Sequence, residues 1–193
     1  YSSDRQGAWQ WKSDHDEWSK QREQLERKLR GLEYVLKENV QVVLVGLEGD
    51  GQVVTMVGSP SAKTKKMGTL VPGMDVNLGE LEANSERLAA ITDKPSDNAV
   101  SFYWQGSAVP QNVLDSSTPH FNELAGPLLA AFDYAVDLEI PSGARTTYVG
   151  YSAGGALLGT GEREGLDSTN IVYVAQAGPG HNVSRPEDTA NPN

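Results

Sequence analysis

The spacing of hydrophobic positions along this chain changes from helical to strand-like soon after residue 38. Residues 1–38 are mostly polar and charged, and their few apolar positions form a thin stripe at roughly helical spacing. The positions in this stripe are Trp18, Leu25, Leu29, Leu32, Val35 and Leu36. The pattern predicts one or two N-terminal helices, which form a helical arm over residues 1–38.

From residue 39 onward, apolar runs with strand-like spacing alternate with runs at helical spacing. Two β-branched runs flank Glu48–Gly51, which predicts a β-hairpin with a Gly/Asp turn. The remainder follows the order strand, helix, strand, helix, strand, helix, strand, and the last strand is Ile171–Ala177. This order favours a mostly parallel sheet with helices on both faces. Residues 39–193 are therefore predicted to form one α/β domain, with the hairpin as an antiparallel edge.

Composition narrows the classes of partner and cofactor. The chain of 193 residues has a formal net charge of −10 and no basic stripe, which argues against a nucleic-acid partner. It has no cysteine, which excludes disulfides, a cysteine nucleophile and cysteine–zinc sites. Its three histidines are scattered, so we predict no metal site and no cofactor. No apolar run approaches the length of a membrane span. Composition leaves the cellular compartment open.

The stretch Gly150-Tyr151-Ser152-Ala153-Gly154 carries the clearest chemical signal. It matches G-x-S-x-G and lies between the β-prone TTYV and the helix-like GALLGT. The flanking glycines permit a strand-to-helix turn tight enough to expose the serine hydroxyl in strained dihedrals. The amide of Ala153 would then lie at a helix N-terminus, where it can stabilise an oxyanion. We therefore predict that Ser152 is a catalytic nucleophile; the alternative is a simple Gly/Ser turn.

A second oxyanion donor is expected in the loop after the predicted central strand. This loop, Pro72–Asp75, has a glycine where the backbone must approach a substrate closely. The amide of Met74 is the first candidate and that of Gly73 the next, whereas the alternative is a loop that merely ends a strand. Trp104 and Gln105, at the end of another predicted strand, are candidates for lining the pocket.

Several segments of the chain resemble an α/β-hydrolase family that occurs mainly in actinobacteria and is catalogued as a domain of unknown function. They are LVPGMDVNLGELEANSERL, VSFYWQG, TTYVGYSAGG and AQAGPGHNVSRPEDTANPN. The resemblance covers roughly Val40 to Asn193. It implies an α/β-hydrolase fold in which the serine of the G-x-S-x-G turn, here Ser152, is the nucleophile. The expected substrate is a small-molecule or lipid-like acyl compound.

A serine nucleophile needs a general base and a carboxylate that orients it, in the chain order Ser, acid, His for α/β-hydrolases. His181 is the one histidine after Ser152 and is the candidate base; the alternative is a loop or pocket-lining histidine. His15 and His120 precede Ser152 and are expected at surface or capping positions. The acid is either one of the carboxylates downstream of Ser152 or a residue of a segment that follows this chain. Asp167 is expected at the end of the sheet opposite to Ser152. Those carboxylates are Asp167, Glu187 and Asp188.

The simplest account of the missing partners is a C-terminal segment absent from this chain. The resemblance runs to Asn193 and stops where another strand is expected, which leaves Ile171–Ala177 as an unpaired edge. We expect a C-terminal fragment of the same protein to pair there and to bring an acid and a histidine to Ser152. The predicted function is a serine hydrolase acting on ester or related acyl bonds. The alternatives are a non-catalytic hydrolase-fold binding module that uses its N-terminal helices as an interface, and an acyltransferase.

Overall fold

Across residues 3–91 and 98–191, which the computed structural model describes, a six-stranded sheet forms the centre of the molecule. Its strands are β1 (Gln41–Gly46), β2 (Gln52–Val57), β3 (Lys66–Val71), β4 (Ala99–Gln105), β5 (Arg145–Tyr151) and β6 (Asn170–Val174). The helices are α1 (Ser3–Lys37), α2 (Leu81–Ile91), α3 (Val113–Ser116), α4 (His120–Asp137) and α5 (Ala153–Arg163), with 3₁₀ turns at Leu78–Glu80 and Pro186–Asp188.

The strand order in the sheet is β1-β2-β4-β3-β5-β6. β1 and β2 form the predicted antiparallel hairpin, and β2 pairs antiparallel with β4. β4, β3, β5 and β6 run parallel to one another, and a helix lies between each successive pair in the chain. The mostly parallel sheet, the N-terminal hairpin and the N-terminal helix predicted from the sequence are therefore confirmed. Together they make a mixed α/β fold with helices on both faces of the sheet.

The side chains of β4 divide the hydrophobic core between the two faces of the sheet. Phe102 and Trp104 pack with the layer of α4 and α5, whereas Tyr103 packs with the layer of α1 and α2. A strand that is covered on both faces needs apolar residues at successive positions, which explains why β4 shows no alternation in the sequence. Trp104, a candidate for lining the pocket, is instead a core residue that is 2% exposed.

The predicted N-terminal arm is a single helix, α1, whose C-terminal half packs against the sheet domain. Gly31 lies so close to Leu78 that a Cβ atom there would overlap the Leu78 carbonyl oxygen. Gln24 Nε2 donates to Asp50 Oδ1 in the hairpin turn at 3.1 Å. No helix within residues 3–91 and 98–191 has the length and apolarity to cross a membrane. The N-terminal half of α1 leaves three tryptophans exposed to solvent, namely Trp9, Trp11 and Trp18.

β6 ends earlier than the predicted strand Ile171–Ala177. Ala175 has a φ of +48°, a left-handed conformation outside the β region. The amide of Ala177 then donates to the carbonyl oxygen of Ser152 at 3.0 Å. The chain therefore leaves the sheet after Val174 and turns toward the end of β5, so the prediction of the strand's C-terminal boundary is wrong.

Candidate functional site

Ser152 lies in a strained turn between β5 and α5. Its φ of +53° and ψ of −121° are unfavourable for a residue with a side chain, and such strain persists only where neighbours enforce it. The Ser152 amide donates to the Val174 carbonyl at 2.9 Å, and its carbonyl accepts from the amides of Gly155 and Ala177, each at 3.0 Å. The strained strand-to-helix turn predicted for this serine is therefore present, and backbone contacts hold it.

The glycines of the G-x-S-x-G motif allow backbone segments to pack where a side chain would collide. A Cβ atom at Gly154 would overlap the carbonyl oxygen of Pro72. A Cβ atom at Gly150 would lie 2.8 Å from the carbonyl oxygen of Gly154. Both contacts are with backbone atoms, which cannot rotate away as the end of a side chain can. The two glycines of the motif therefore allow the turn, the start of α5 and the loop after β3 to pack closely together.

The loop after β3 reaches the same edge of the sheet as Ser152. Val71 pairs with Gly150 in the parallel register, so the two strands end side by side. A Cβ atom at Gly73 would lie 3.1 Å from the Cβ of Ser152. Within the described residues, the amides of Met74 and Ala153 have no hydrogen-bond acceptor. The structure therefore brings both candidate oxyanion donors to the edge where Ser152 lies.

A cavity of about 900 Å³ opens beside Ser152, a volume typical of pockets for small molecules. One part of its lining is the end of β5 together with the loop after β3. We call this part the Ser152 wall, and it consists of Pro72, Gly73, Met74, Tyr151 and Ser152. Aliphatic side chains contribute further lining, namely Leu70, Val76, Val149 and Val174.

Three arginines, which we call the arginine wall, line the same cavity. Arg27 and Arg30 come from α1, and Arg87 comes from α2. The carboxylates of Asp75 and Glu80 also line the cavity, so the charged lining residues leave one formal positive charge. The chain as a whole has a net charge of −10. The sequence carries no sign of these arginines because they are ordinary charged positions on two helices, and only the packing of α1 and α2 on the sheet brings them to one cavity.

A chain of hydrogen bonds anchors Arg87 at the cavity. Arg87 Nη1 donates to Asn84 Oδ1 at 2.6 Å, and Asn84 Nδ2 donates to the Tyr103 hydroxyl at 3.0 Å. That hydroxyl donates to Gln105 Oε1 at 2.8 Å, and Gln105 Nε2 donates to the Gly51 carbonyl at 3.0 Å. Burial raises the pKa of Tyr103, so its hydroxyl stays protonated and can donate. Gln105, a candidate for lining the pocket, is instead a buried member of this series of hydrogen bonds.

His181, the candidate base, lies in an ion-pair cluster between α4 and α5. Its Nδ1 contacts the Glu123 carboxylate, and its amide donates to Thr160 Oγ1 at 3.0 Å. Arg163 donates to the Glu123 carboxylate through both Nη atoms, at 2.8 and 2.9 Å. Hydrogen bonds from Arg163 and, to a smaller extent, from His181 lower the pKa of Glu123 to about 2. The structure therefore places His181 in contact with Glu123 rather than with Ser152.

The other candidate partners of Ser152 also lie away from the cavity. Asp167 precedes β6 and so lies at the opposite edge of the sheet, as expected, where its amide donates to Asp133 Oδ2 at 3.0 Å. Asp188 Oδ2 accepts from the amide of Ser184 at 2.9 Å. Among the described residues, the Ser152 hydroxyl has no hydrogen-bond partner. The same part of the chain contains no cluster of acidic residues and histidines that could hold a metal ion. The candidate base His181 and the downstream carboxylates Asp167, Glu187 and Asp188 do not line the cavity, and neither do His15 and His120, which were expected elsewhere.

No protein-family model matches this chain, and no curated protein matches it. Among solved structures, it is similar to a protein from Agrobacterium vitis S4 with a provisional hydrolase assignment, at 18% identity and a TM-score of 0.38 over 72% of this chain and 52% of that one. It is also similar to a lipase/esterase from Lactobacillus plantarum, at 11% identity and a TM-score of 0.38 over 69% of this chain and 59% of that one. The matched region thus spans between half and three fifths of those proteins.

Proposed function

We propose that this chain carries the nucleophile of a serine hydrolase that acts on ester or related acyl bonds. One observation carries the proposal: Ser152 is held at a φ of +53° at the N-terminus of the 11-residue helix α5, beside a cavity of about 900 Å³. Strain of this kind costs roughly 1–3 kcal/mol and is retained at functional sites where it positions a reactive group. The strand-to-helix turn is therefore interpreted as a nucleophile elbow.

The proposed reaction begins when Ser152 Oγ attacks the carbonyl carbon of the acyl substrate and a base removes the hydroxyl proton. The amides of Ala153 and Met74 donate hydrogen bonds to the oxyanion that forms. Collapse of this intermediate breaks the bond to the alcohol, which leaves with the proton, and water then hydrolyses the acyl-enzyme. The positive end of the α5 dipole favours the same developing charge.

The acid and the base of this reaction are proposed to come from a C-terminal segment of the same protein that pairs with β6. Within the described residues, β6 is paired with β5 alone, and Val172, Tyr173 and Val174 are about 40% exposed. An apolar strand with one free edge favours the addition of a further strand. His181 is the alternative base, but it would have to leave Glu123 to reach Ser152.

The experiment that tests the proposal is covalent labelling of the complete gene product with a fluorophosphonate. Attack by Ser152 Oγ on phosphorus expels fluoride and leaves a stable adduct, which mass spectrometry assigns to a peptide. We expect stoichiometric labelling of Ser152, and a loss of ester turnover of about 10⁴-fold or more in Ser152→Ala. Ser142→Ala, an exposed serine in the loop before β5, is the matched control and should retain full labelling.

Absence of labelling in the folded, complete gene product would overturn the proposed hydrolase. It would favour the alternative function, a hydrolase-fold module that binds a ligand without chemistry. A different result would be labelling and Ser152-dependent ester turnover in a protein that consists of residues 1–193 alone. This result would support the hydrolase activity, but it would overturn the proposal that a C-terminal segment supplies the base.

A further inference from the structure

We propose that the arginine wall is a subsite for a carboxylate, so that the preferred substrate is an acyl ester whose acyl chain carries a second, anionic end. The inference rests on the proposed function for the reaction at Ser152, but the binding of the carboxylate is independent of that reaction. Arg27, Arg30 and Arg87 line the same cavity as Ser152, and aliphatic residues line it as well. One cavity therefore combines a reactive end, an apolar surface and a cationic end.

The charge of the cavity lining is opposite in sign to that of the whole protein. A chain with a net charge of −10 repels anions from most of its surface, yet three arginines are directed to this cavity. The carboxylates of Asp75 and Glu80 offset two of these three positive charges, so the cavity lining keeps one formal positive charge. One net positive charge matches a carboxylate monoanion better than a phosphate dianion. The planar guanidinium group also binds a carboxylate with two parallel hydrogen bonds.

The guanidinium groups retain unused donor capacity. Among the described residues, Arg30 forms no hydrogen bond or ion pair. Arg27 has a single ion pair, with Glu23 on its own helix, and the 3.8 Å separation and solvent exposure make this pair weak. Arg87 uses Nη1 for Asn84, so its other guanidinium donors are available to a ligand.

One structural feature anchors the Arg87 side chain before a ligand binds, and a second fixes the helix backbone that carries Arg27 and Arg30. Arg87 is anchored by the hydrogen-bond chain that runs through buried Asn84 to Tyr103. On α1, close contact of Gly31 with Leu78 fixes the helix against the sheet domain, and a Cβ atom at Gly79 would lie 3.3 Å from the Cα of Arg27. Preorganised donors lose less entropy on binding, which favours affinity for the anion.

The test uses glutarate, a five-carbon dicarboxylate, as the binding probe and a matched pair of esters as substrates. Binding of glutarate to the Ser152→Ala complete gene product is measured by isothermal titration calorimetry. We expect binding that weakens with added salt, and a loss of affinity of about tenfold to a hundredfold in Arg30→Gln and in Arg87→Gln. Arg22→Gln, on the same helix but outside this cavity, is the matched control and should bind glutarate normally.

The kinetic comparison uses 4-nitrophenyl hydrogen glutarate and 4-nitrophenyl pentanoate, which share the leaving group and acyl length but differ in the terminal carboxylate. We expect kcat/KM to favour the glutarate ester by about tenfold or more, and this preference to disappear in Arg30→Gln because kcat/KM for the glutarate ester falls. Equal turnover of both esters, or glutarate binding that is unchanged in both arginine variants, would overturn the subsite. In that case, labelling of Ser152 would still support the proposed hydrolase activity. Conversely, glutarate binding that depends on the arginines, found without labelling of Ser152, would support the carboxylate subsite but not the hydrolase activity.

Discussion

The two walls of the cavity are built in different ways. The Ser152 wall is made by backbone: hydrogen bonds hold the positive φ of Ser152, and glycine lets the loop after β3 pack against it. The arginine wall is made by long side chains, and two of them, Arg30 and Arg87, are exposed. Close-packed backbone tolerates almost no added volume, whereas exposed side chains depend on the position of the helix beneath them. The reactive geometry therefore depends on close contacts between backbone segments, while the charge of the cavity depends on how two helices pack on the sheet.

The largest expected effect comes from breaking the Ser152 wall with Gly154→Ala. The added methyl group would overlap the carbonyl oxygens of Pro72 and Val71, which belong to the backbone of the central strand and its loop. We expect the free energy of unfolding to fall by about 3 kcal/mol or more, measured by chemical denaturation. Fluorophosphonate labelling of Ser152 should be lost as well, because the turn can no longer close.

Gly143→Ala is the matched control for this prediction. Gly143 has open space where an added Cβ atom would lie, and it belongs to the loop before β5, far along the strand from the turn. The stability of this variant should stay within about 0.5 kcal/mol of the unmodified protein. A Gly154→Ala protein as stable as Gly143→Ala would show that the backbone contacts of the Ser152 wall are looser than described.

The support beneath the Ser152 wall gives the next largest effect, and it depends on pH. Asp133 on α4 accepts from the Tyr148 hydroxyl of β5 at 2.8 Å, and burial raises the pKa of Asp133 from 3.8 to about 6. Because the folded-state pKa is the higher one, the unfolded chain binds fewer protons between these values. The contribution of Asp133 to stability should therefore fall by about 2–3 kcal/mol as the pH rises from 4 to 6.

Asp133→Asn removes this titration and sharpens the prediction. The amide oxygen can accept from Tyr148, but the amide nitrogen cannot accept from the Asp167 N–H, so the variant should be less stable at pH 4. The difference in the free energy of unfolding between the variant and the unmodified protein should become smaller as the pH rises through 6. Urea denaturation at each pH measures this difference. Asp16→Asn, at an exposed position of α1, should leave the pH profile unchanged. Parallel profiles for all three proteins would contradict the assigned role of Asp133.

The smallest effect is expected from Gly31→Ala, which separates the two walls. Alanine is the better helix former by about 1 kcal/mol, yet its methyl group would overlap the Leu78 carbonyl oxygen and displace α1. Arg27 and Arg30 would move with the helix, so glutarate affinity should fall by about tenfold. Labelling of Ser152 should persist, because the strained turn makes no use of α1.

Ser13→Ala, at an exposed position in the other half of α1, controls for helix propensity and should bind glutarate with unchanged affinity. Loss of Ser152 labelling in Gly31→Ala would show that the two walls are one cooperative unit. Retention of glutarate affinity there would show that the arginines reach their positions without the docking contact.

The sequence by itself determined the order of helices and strands, the hairpin and the turn at Ser152. These features depend on periodicity and on glycine at close contacts, and both are visible in adjacent residues. The end of β6 was not predictable, because an alanine at position 175 gives no sign of its φ of +48°. The burial of Trp104 and Gln105 and the convergence of the arginines were decided by tertiary structure alone. They depend on how α1 and α2 pack on one face of the sheet and how α4 and α5 pack on the other. Long-range packing of this kind leaves no local signature in a single sequence.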